Sequence, residues 1–243
     1  MRESVPLTRR RPRIAIISYC DHLRTYAHLN HETYARRHDY TYIFDIAPVE
    51  SYRHNAKIEK ILKFLPHFDW VFWIDDDAFF TRPESELTEF LERRERAGFI
   101  FCESPVNAGK QTWISSGNFF VRNTPKAFEV LRSVAESYRD ERIREWWDAE
   151  RFGYYTHGDQ DAFVYHLNTN PKYQKRGFVE RLPYDAFNAR PFHFERKLDE
   201  HFLVHFTGDE KGRQAAEFAN RFGSTEAMIS REEWKTLRGI YHP

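Results

Sequence analysis

The 243-residue sequence predicts an α/β fold: one domain with a mainly parallel central sheet flanked by helices. Two observations carry this. Short, continuously apolar runs at 13–19, 40–45, 70–74 and 98–102 have the composition of strands buried on both faces, and helix-spaced segments stand between them. With 41% hydrophobic and 17% aromatic residues, the chain can also bury one substantial core.

Ile14 to Ile17 form the apolar centre of the first strand, and 23–37 is polar with spaced apolar positions, as a surface helix requires. Tyr42, Ile43 and Phe44 mark the second strand. From Lys57 onward, Ile58, Ile61, Leu62 and Leu65 keep one helical face apolar until Pro66 stops the helix. Residues 70–74 form a strand apolar at every position. After Pro83, Leu87, Phe90 and Leu91 predict a helix, and 98–102 another strand. Thr124 and Pro125 supply an N-cap and a first-turn proline for a helix whose buried stripe is Phe128, Leu131, Ala135 and Tyr138. Beyond Asp140 the pattern weakens to an aromatic segment around Trp146 and Trp147, a helix near 161–167, and strands near 178–182 and 202–206.

Charge narrows the function. The 37 basic and 37 acidic residues cancel, so no global field attracts nucleic acid or an anionic membrane, and bound phosphate must be held locally. Cys20 and Cys102 are too few for a disulfide framework or a zinc module and read as small buried apolar groups. The apolar run 14–17 is too short for a signal segment or membrane span, and no Asn-x-Ser/Thr acceptor occurs. A cytoplasmic protein without an integral membrane segment is expected.

Asp75-Asp76-Asp77 follows the strand 70–74 directly, where parallel sheets place ligands. In extended backbone Asp75 and Asp77 would point to one side and Asp76 to the other, and two converging carboxylates call for a hard divalent cation. A solvated acidic turn is the plain alternative. Ser116 and Gly117 lead into a strand, and Gly117 would let a bulky ligand approach the backbone, unless this is an ordinary strand entry. Asp159, Gln160 and Asp161 crowd a helix start, where capping is the simpler role. His205 ends a strand before Gly208, as a packed histidine would.

In this order the motifs resemble the galactosyl/xylosyltransferase family of GT-A fold, glycosyltransferase family 34. They are Lys57 to Leu65; Trp70, Trp73, Asp75, Asp77 and Ala78; Ser116, Gly117, Phe119, Arg122 and Asn123; Asp159 to Ala162; and His205, Phe206 and Gly208. Asn30, Tyr34, Ala35, His38 and Tyr40 look like the family's first helix and turn, and the resemblance spans roughly residues 13 to 213. It implies a single GT-A-like, Rossmann-like domain over 1–243. Residues 1–12 would be a flexible N-terminus, 13–110 a nucleotide-sugar-binding half and 111–243 an acceptor-side half. It further implies a retaining transferase that moves a hexose or pentose from a UDP-sugar to a carbohydrate or glycoconjugate hydroxyl. Mn²⁺ is the implied metal, with Mg²⁺ the second choice, held by Asp75, Asp77 and His205. Lys211 would reach the diphosphate, Lys57 would lie near the nucleotide, and Ser18 and Tyr19 would meet uracil or ribose. Asp76, Ser116 and Gly117 complete the expected cofactor-binding group. Gln160 would face the oxocarbenium-like centre while Asp161 or Asp159 orients donor hydroxyls. Asp209 and Glu210 stand where eukaryotic members carry a cysteine, which bears on compartment and acceptor more than on chemistry.

Trp146, Trp147, Tyr154 and Tyr155 would suit either an acceptor-stacking platform or core packing. Two rival functions remain. An aspartate-based phosphohydrolase also places paired aspartates after a parallel strand, but Ala78-Phe79-Phe80 follow here where its threonine belongs. A non-catalytic nucleotide-sugar or carbohydrate binding module would keep the fold without turnover.

Overall fold

The computed structural model describes residues 10–46, 53–137, 139–224 and 228–241. Residues 1–9 of the expected flexible N-terminus, and Tyr138 of the buried stripe, lie outside them. Among the described residues, sixteen strands and α-helices follow one another, beginning with β1 (Ile14–Tyr19), α1 (Ala27–Arg37), β2 (Thr41–Asp45), α2 (Arg53–Phe64), β3 (Trp70–Ile74) and β4 (Ala78–Phe80). The middle of the chain forms β5 (Phe99–Cys102), β6 (Ser115–Arg122), α3 (Pro125–Ser137), α4 (Glu141–Trp146), α5 (Ala149–Phe152) and α6 (Asp159–Thr169). Last come β7 (Val179–Leu182), β8 (Leu203–His205), α7 (Lys211–Phe222) and α8 (Arg231–Tyr241).

Six strands make the central sheet in the order β2-β1-β3-β6-β5-β7. Neighbours pair in parallel except where β6 lies between β3 and β5, running against both. The reversal has a local cause. The chain passes from β5 to its neighbour β6 through a loop, without the helical crossover that a parallel pair needs. It also has a consequence: the N-terminal end of β6 lies beside the C-terminal end of β3, with Asn118 opposite Ile74. A second small sheet pairs β4 with β8, Ala78 opposite His205.

The apolar runs are buried on both faces because successive strand residues feed two different cores. Ala15, Ile17, Val71, Trp73, Phe99, Phe101, Phe119 and Val121 pack with Ile58, Ile61, Val130, Leu131 and Phe163 on one face. Ile14, Ile16, Phe72, Ile74, Ile100 and Phe120 pack with Tyr34, Phe80, Phe187 and Phe202 on the other. A third cluster joins the small sheet to α7 through Phe79, Val204, Phe206 and Phe218.

Two helices are shorter than expected. The one sought at 23–37 begins at Ala27, because the Thr25 hydroxyl donates to the Asp76 carbonyl and accepts from the Ala27 N–H, which ends the approach loop. The one sought after Pro83 is a single 3₁₀ turn, Leu87–Phe90, closed by reciprocal bonds between Glu86 and Glu89. Cys20 and Cys102 are both free and buried, as expected of small apolar groups. Among the described residues no helix is long and apolar enough to cross a membrane.

Candidate metal centre

The aspartates after β3 converge, but not through the alternation of an extended chain. Residues 76–77 form a turn closed by the Ala78 N–H donating to the Asp75 carbonyl, and this turn leads into β4. The Phe206 N–H then bonds the Asp77 carbonyl, which draws the end of β8 against the turn. The outcome is that Asp75, Asp77 and His205 offer three ligand atoms within 4.8 Å of one another.

Each of the three is held from behind. Trp73 Nε1–H donates to Asp75 Oδ1 at 2.7 Å. Asp77 is 2% exposed and is paired with Lys211. The His205 ring is fixed by Asn188, whose own amide is oriented on two sides. Its Nδ2–H donates to the Glu103 carbonyl at 3.0 Å, and its Oδ1 accepts from Arg190 Nη1 at 2.9 Å. That oxygen lies 3.0 Å from His205 Nδ1, so Nδ1 carries the proton and donates it. The lone pair of Nε2 consequently faces Asp77 Oδ1 at 3.1 Å, and that buried oxygen has no hydrogen bond. Two facing lone pairs of this kind are relieved by a cation. Burial, with the charge of Arg190, lowers the His205 pKa and keeps the ring neutral. Burial would push the Asp77 carboxyl up, but the Lys211 ammonium paired with it opposes this, and on balance the acid lies well below the usual carboxylate range.

Gly117 lies against this cluster, and the group that approaches its backbone is protein rather than ligand: a Cβ there would stand 2.4 Å from His205 Cε1. Lys57 reaches in from α2, donating to the Ser116 carbonyl at 2.7 Å and lying 3.5 Å from Asp75 and 3.3 Å from Asp159. Burial opposes its charge, but the two carboxylates raise its pKa on balance. Gln160 Oε1 accepts from the Ser116 N–H at 3.1 Å, tying the start of α6 to β6. Asp161 is occupied otherwise: it accepts from the Thr156 N–H and hydroxyl and from the Gly158 N–H, shaping the loop that enters α6.

The remaining expected residues lie around this centre. Ser18 is buried, and its hydroxyl is 2.7 Å from that of Tyr42. Half-buried Tyr19 lies under the Lys60 ammonium. Asp76 is not among the three clustered ligands, and burial together with the charge of Asp77 pushes its carboxyl up to about 7. The Trp146 ring stacks on Phe152 and Trp147 Nε1–H donates to the Gly153 carbonyl, so both indoles serve packing. Sequence reading missed Asn188, Arg190 and Asn118, whose polar side chains are buried beside His205. Buried asparagine and arginine in a segment without periodicity leave no local signal.

Comparisons with known proteins bear on the family and the fold. Residues 19–112 match the model of the galactosyl transferase GMA12/MNN10 family. No curated protein matches the sequence significantly. Among solved structures, the fold is similar to a glycosyltransferase involved in glycosylation of the major capsid of PBCV-1. The TM-score is 0.63 at 16% identity, covering 86% of this chain and all of that one. It is also similar to the glycosyltransferase GlyE of Streptococcus pneumoniae TIGR4, with a TM-score of 0.51 at 12% identity over 93% of this chain and 60% of that one.

Proposed function

We propose that the chain, whose residues 19–112 match the galactosyl transferase GMA12/MNN10 family model, is a metal-dependent, retaining glycosyltransferase that moves a hexose or pentose from a UDP-sugar to a carbohydrate hydroxyl. One observation carries the metal: the unpartnered Asp77 Oδ1 faces the His205 Nε2 lone pair, with Asp75 alongside. Two carboxylates and an imidazole suit Mn²⁺ better than Mg²⁺, which prefers an all-oxygen set. When bound there, the ion would neutralise charge on the donor diphosphate.

The chain's own residues supply the rest. Lys211, paired with Asp77, is placed to turn its ammonium to the diphosphate, where fixed positive charge meets the negative charge of the departing phosphate. Lys57 holds Asp75 and Asp159 in register, so the metal-binding end of β3 and the first turn of α6 move as one unit. Gln160 Oε1 accepts from the Ser116 N–H and keeps a second lone pair, which in this reading faces the positive charge that develops at the anomeric carbon. Asp76, Ser116 and Gly117 shape the floor of the nucleotide-sugar site, and Ser18 and Tyr19 its uridine end.

Neither carboxylate of the first α6 turn is free to act as a base. Asp159 is paired with Lys57, and Asp161 is committed to Thr156 and Gly158. Attack on the face from which the phosphate departs needs none: the acceptor oxygen bonds to the anomeric carbon, the carbon–phosphate oxygen bond breaks, and that phosphate takes the hydroxyl proton. Residues 13–110 form the nucleotide-sugar side and 111–243 the acceptor side in this reading, within a cytoplasmic protein.

Calorimetric titration of UDP with and without Mn²⁺, on the native protein and on Asp77→Ala, tests it. Binding that requires both the metal and Asp77 is the expected result. Metal-independent binding, or none, removes the metal-bridged mechanism and leaves a binding module.

A further inference from the structure

A cleft of about 490 Å³ opens beside the metal centre, between Arg190–Phe192, the loop after β8 and one face of α7. Its volume is that of a small-ligand site. Three features set it apart from a chance hollow. Phe192 stands in its wall 56% exposed, although the aromatic residues around it are buried in the third core. Arg190 lines it at only 5% exposure, yet its Nε–H has no hydrogen-bond partner. The cleft also carries polar groups that are already braced: Asn107 Nδ2 donates to the Thr207 hydroxyl at 2.9 Å, and Gln214 Nε2 to the Thr207 carbonyl at 3.4 Å.

The cleft is joined to the metal centre by a single shared atom. Asn188 Oδ1 accepts from both Arg190 and the metal-centre residue His205, so Arg190 is one hydrogen-bonded residue away from the cluster, and Thr207, two residues after His205, also lines the cleft. Resting on the transferase reading above, we propose that this cleft holds the acceptor, a saccharide. One apolar sugar face stacks on Phe192, and ring hydroxyls meet Arg190, Asn107 and Gln214. An exposed aromatic face with surrounding hydrogen-bonding groups is the arrangement that sugars require, apolar on the ring face and polar at the edge. Arg190 and Arg221 line the cleft, with Glu217 among the polar groups of α7.

The test measures UDP release from UDP-galactose, UDP-glucose and UDP-xylose with a set of methyl glycosides as acceptors, beside UDP affinity by calorimetry with Mn²⁺. Phe192→Ala is expected to raise the acceptor KM by about tenfold or more, while Phe192→Tyr, which keeps the ring, stays within about twofold of the native value. UDP affinity should follow the native protein in both variants, since Phe192 is exposed and stands outside the ligand cluster. An unchanged acceptor KM in Phe192→Ala overturns the proposal, as does a KM that responds instead to Tyr154→Ala on the other exposed aromatic surface. Where UDP binds but no glycoside turns over, saturation-transfer NMR with the same glycosides decides. A transfer signal that disappears in Phe192→Ala supports the cleft, and a native protein that gives no signal overturns it. Failure of UDP to bind with Mn²⁺ overturns the transferase reading itself and the acceptor assignment with it.

Discussion

The imidazole of His205 lies directly on the backbone of Gly117: a Cβ at 117 would come within 2.4 Å of His205 Cε1 and 3.0 Å of Asp75 Oδ2. The glycine is required by this close approach between β6 and the end of β8. Gly117→Ala should displace the ring by a fraction of an ångström to an ångström and lower the transfer rate by about 100-fold. Steady-state kinetics beside a thermal melt would show it, with activity lost well before stability.

In the proposed metal site Asn188 acts through His205. Asn188→Ala removes the acceptor that fixes the Nδ1–H tautomer and frees the ring to donate from Nε2 toward Asp77. Manganese affinity should weaken by about 10- to 100-fold, read by metal titration in the absence of nucleotide. Unaltered affinity would mean that the ring is oriented by its packing alone.

Lys57 compensates the carboxylates of Asp75 and Asp159, the latter only 4% exposed. Lys57→Met keeps most of the side-chain volume but leaves this charge buried without its partner. A loss of about 3–5 kcal/mol of stability is expected from urea unfolding. Asp159→Asn on the same background should recover part of it, because the uncompensated charge is then gone.

His31 makes stability depend on pH. It is fully buried on α1, donates from Nε2 to the Ala78 carbonyl at 2.8 Å, and burial pushes its pKa down from 6.5 to about 4. Between those values the unfolded chain binds a proton that the native protein refuses. Stability is therefore fully present above pH 6.5 and declines as pH falls toward 4, the loss reaching about 2 kcal/mol by pH 5. Urea midpoints at pH 7.5 and pH 5 should separate less in His31→Gln than in the native protein.

Much of the fold is legible in the sequence because its signals are local. Trp70 to Ile74 is apolar at every position and is a strand buried on both faces, and the spacing from Ile58 to Leu65 marks the buried face of α2. The grouping of Asp75, Asp77 and His205 was legible for a different reason: they lie in motifs that keep a family order, although His205 is remote from the other two in the chain. Chain direction stayed hidden. Whether β6 runs with or against β3 is set by how the loop before it returns to the sheet, and the apolar pattern of a doubly buried strand is the same in either direction.

The sequence by itself determined the alternation of strands and helices, the apolar faces that make the cores, and the carboxylates that follow β3, since each follows from residue type and spacing over a few positions. Tertiary structure alone decided which way β6 runs, that a turn brings Asp75 and Asp77 together, and that Asn188 holds His205 while Arg190 opens onto a cleft. Those outcomes depend on hydrogen bonds between residues far apart in the chain, and the strength of such a bond is set by geometry that no local pattern encodes.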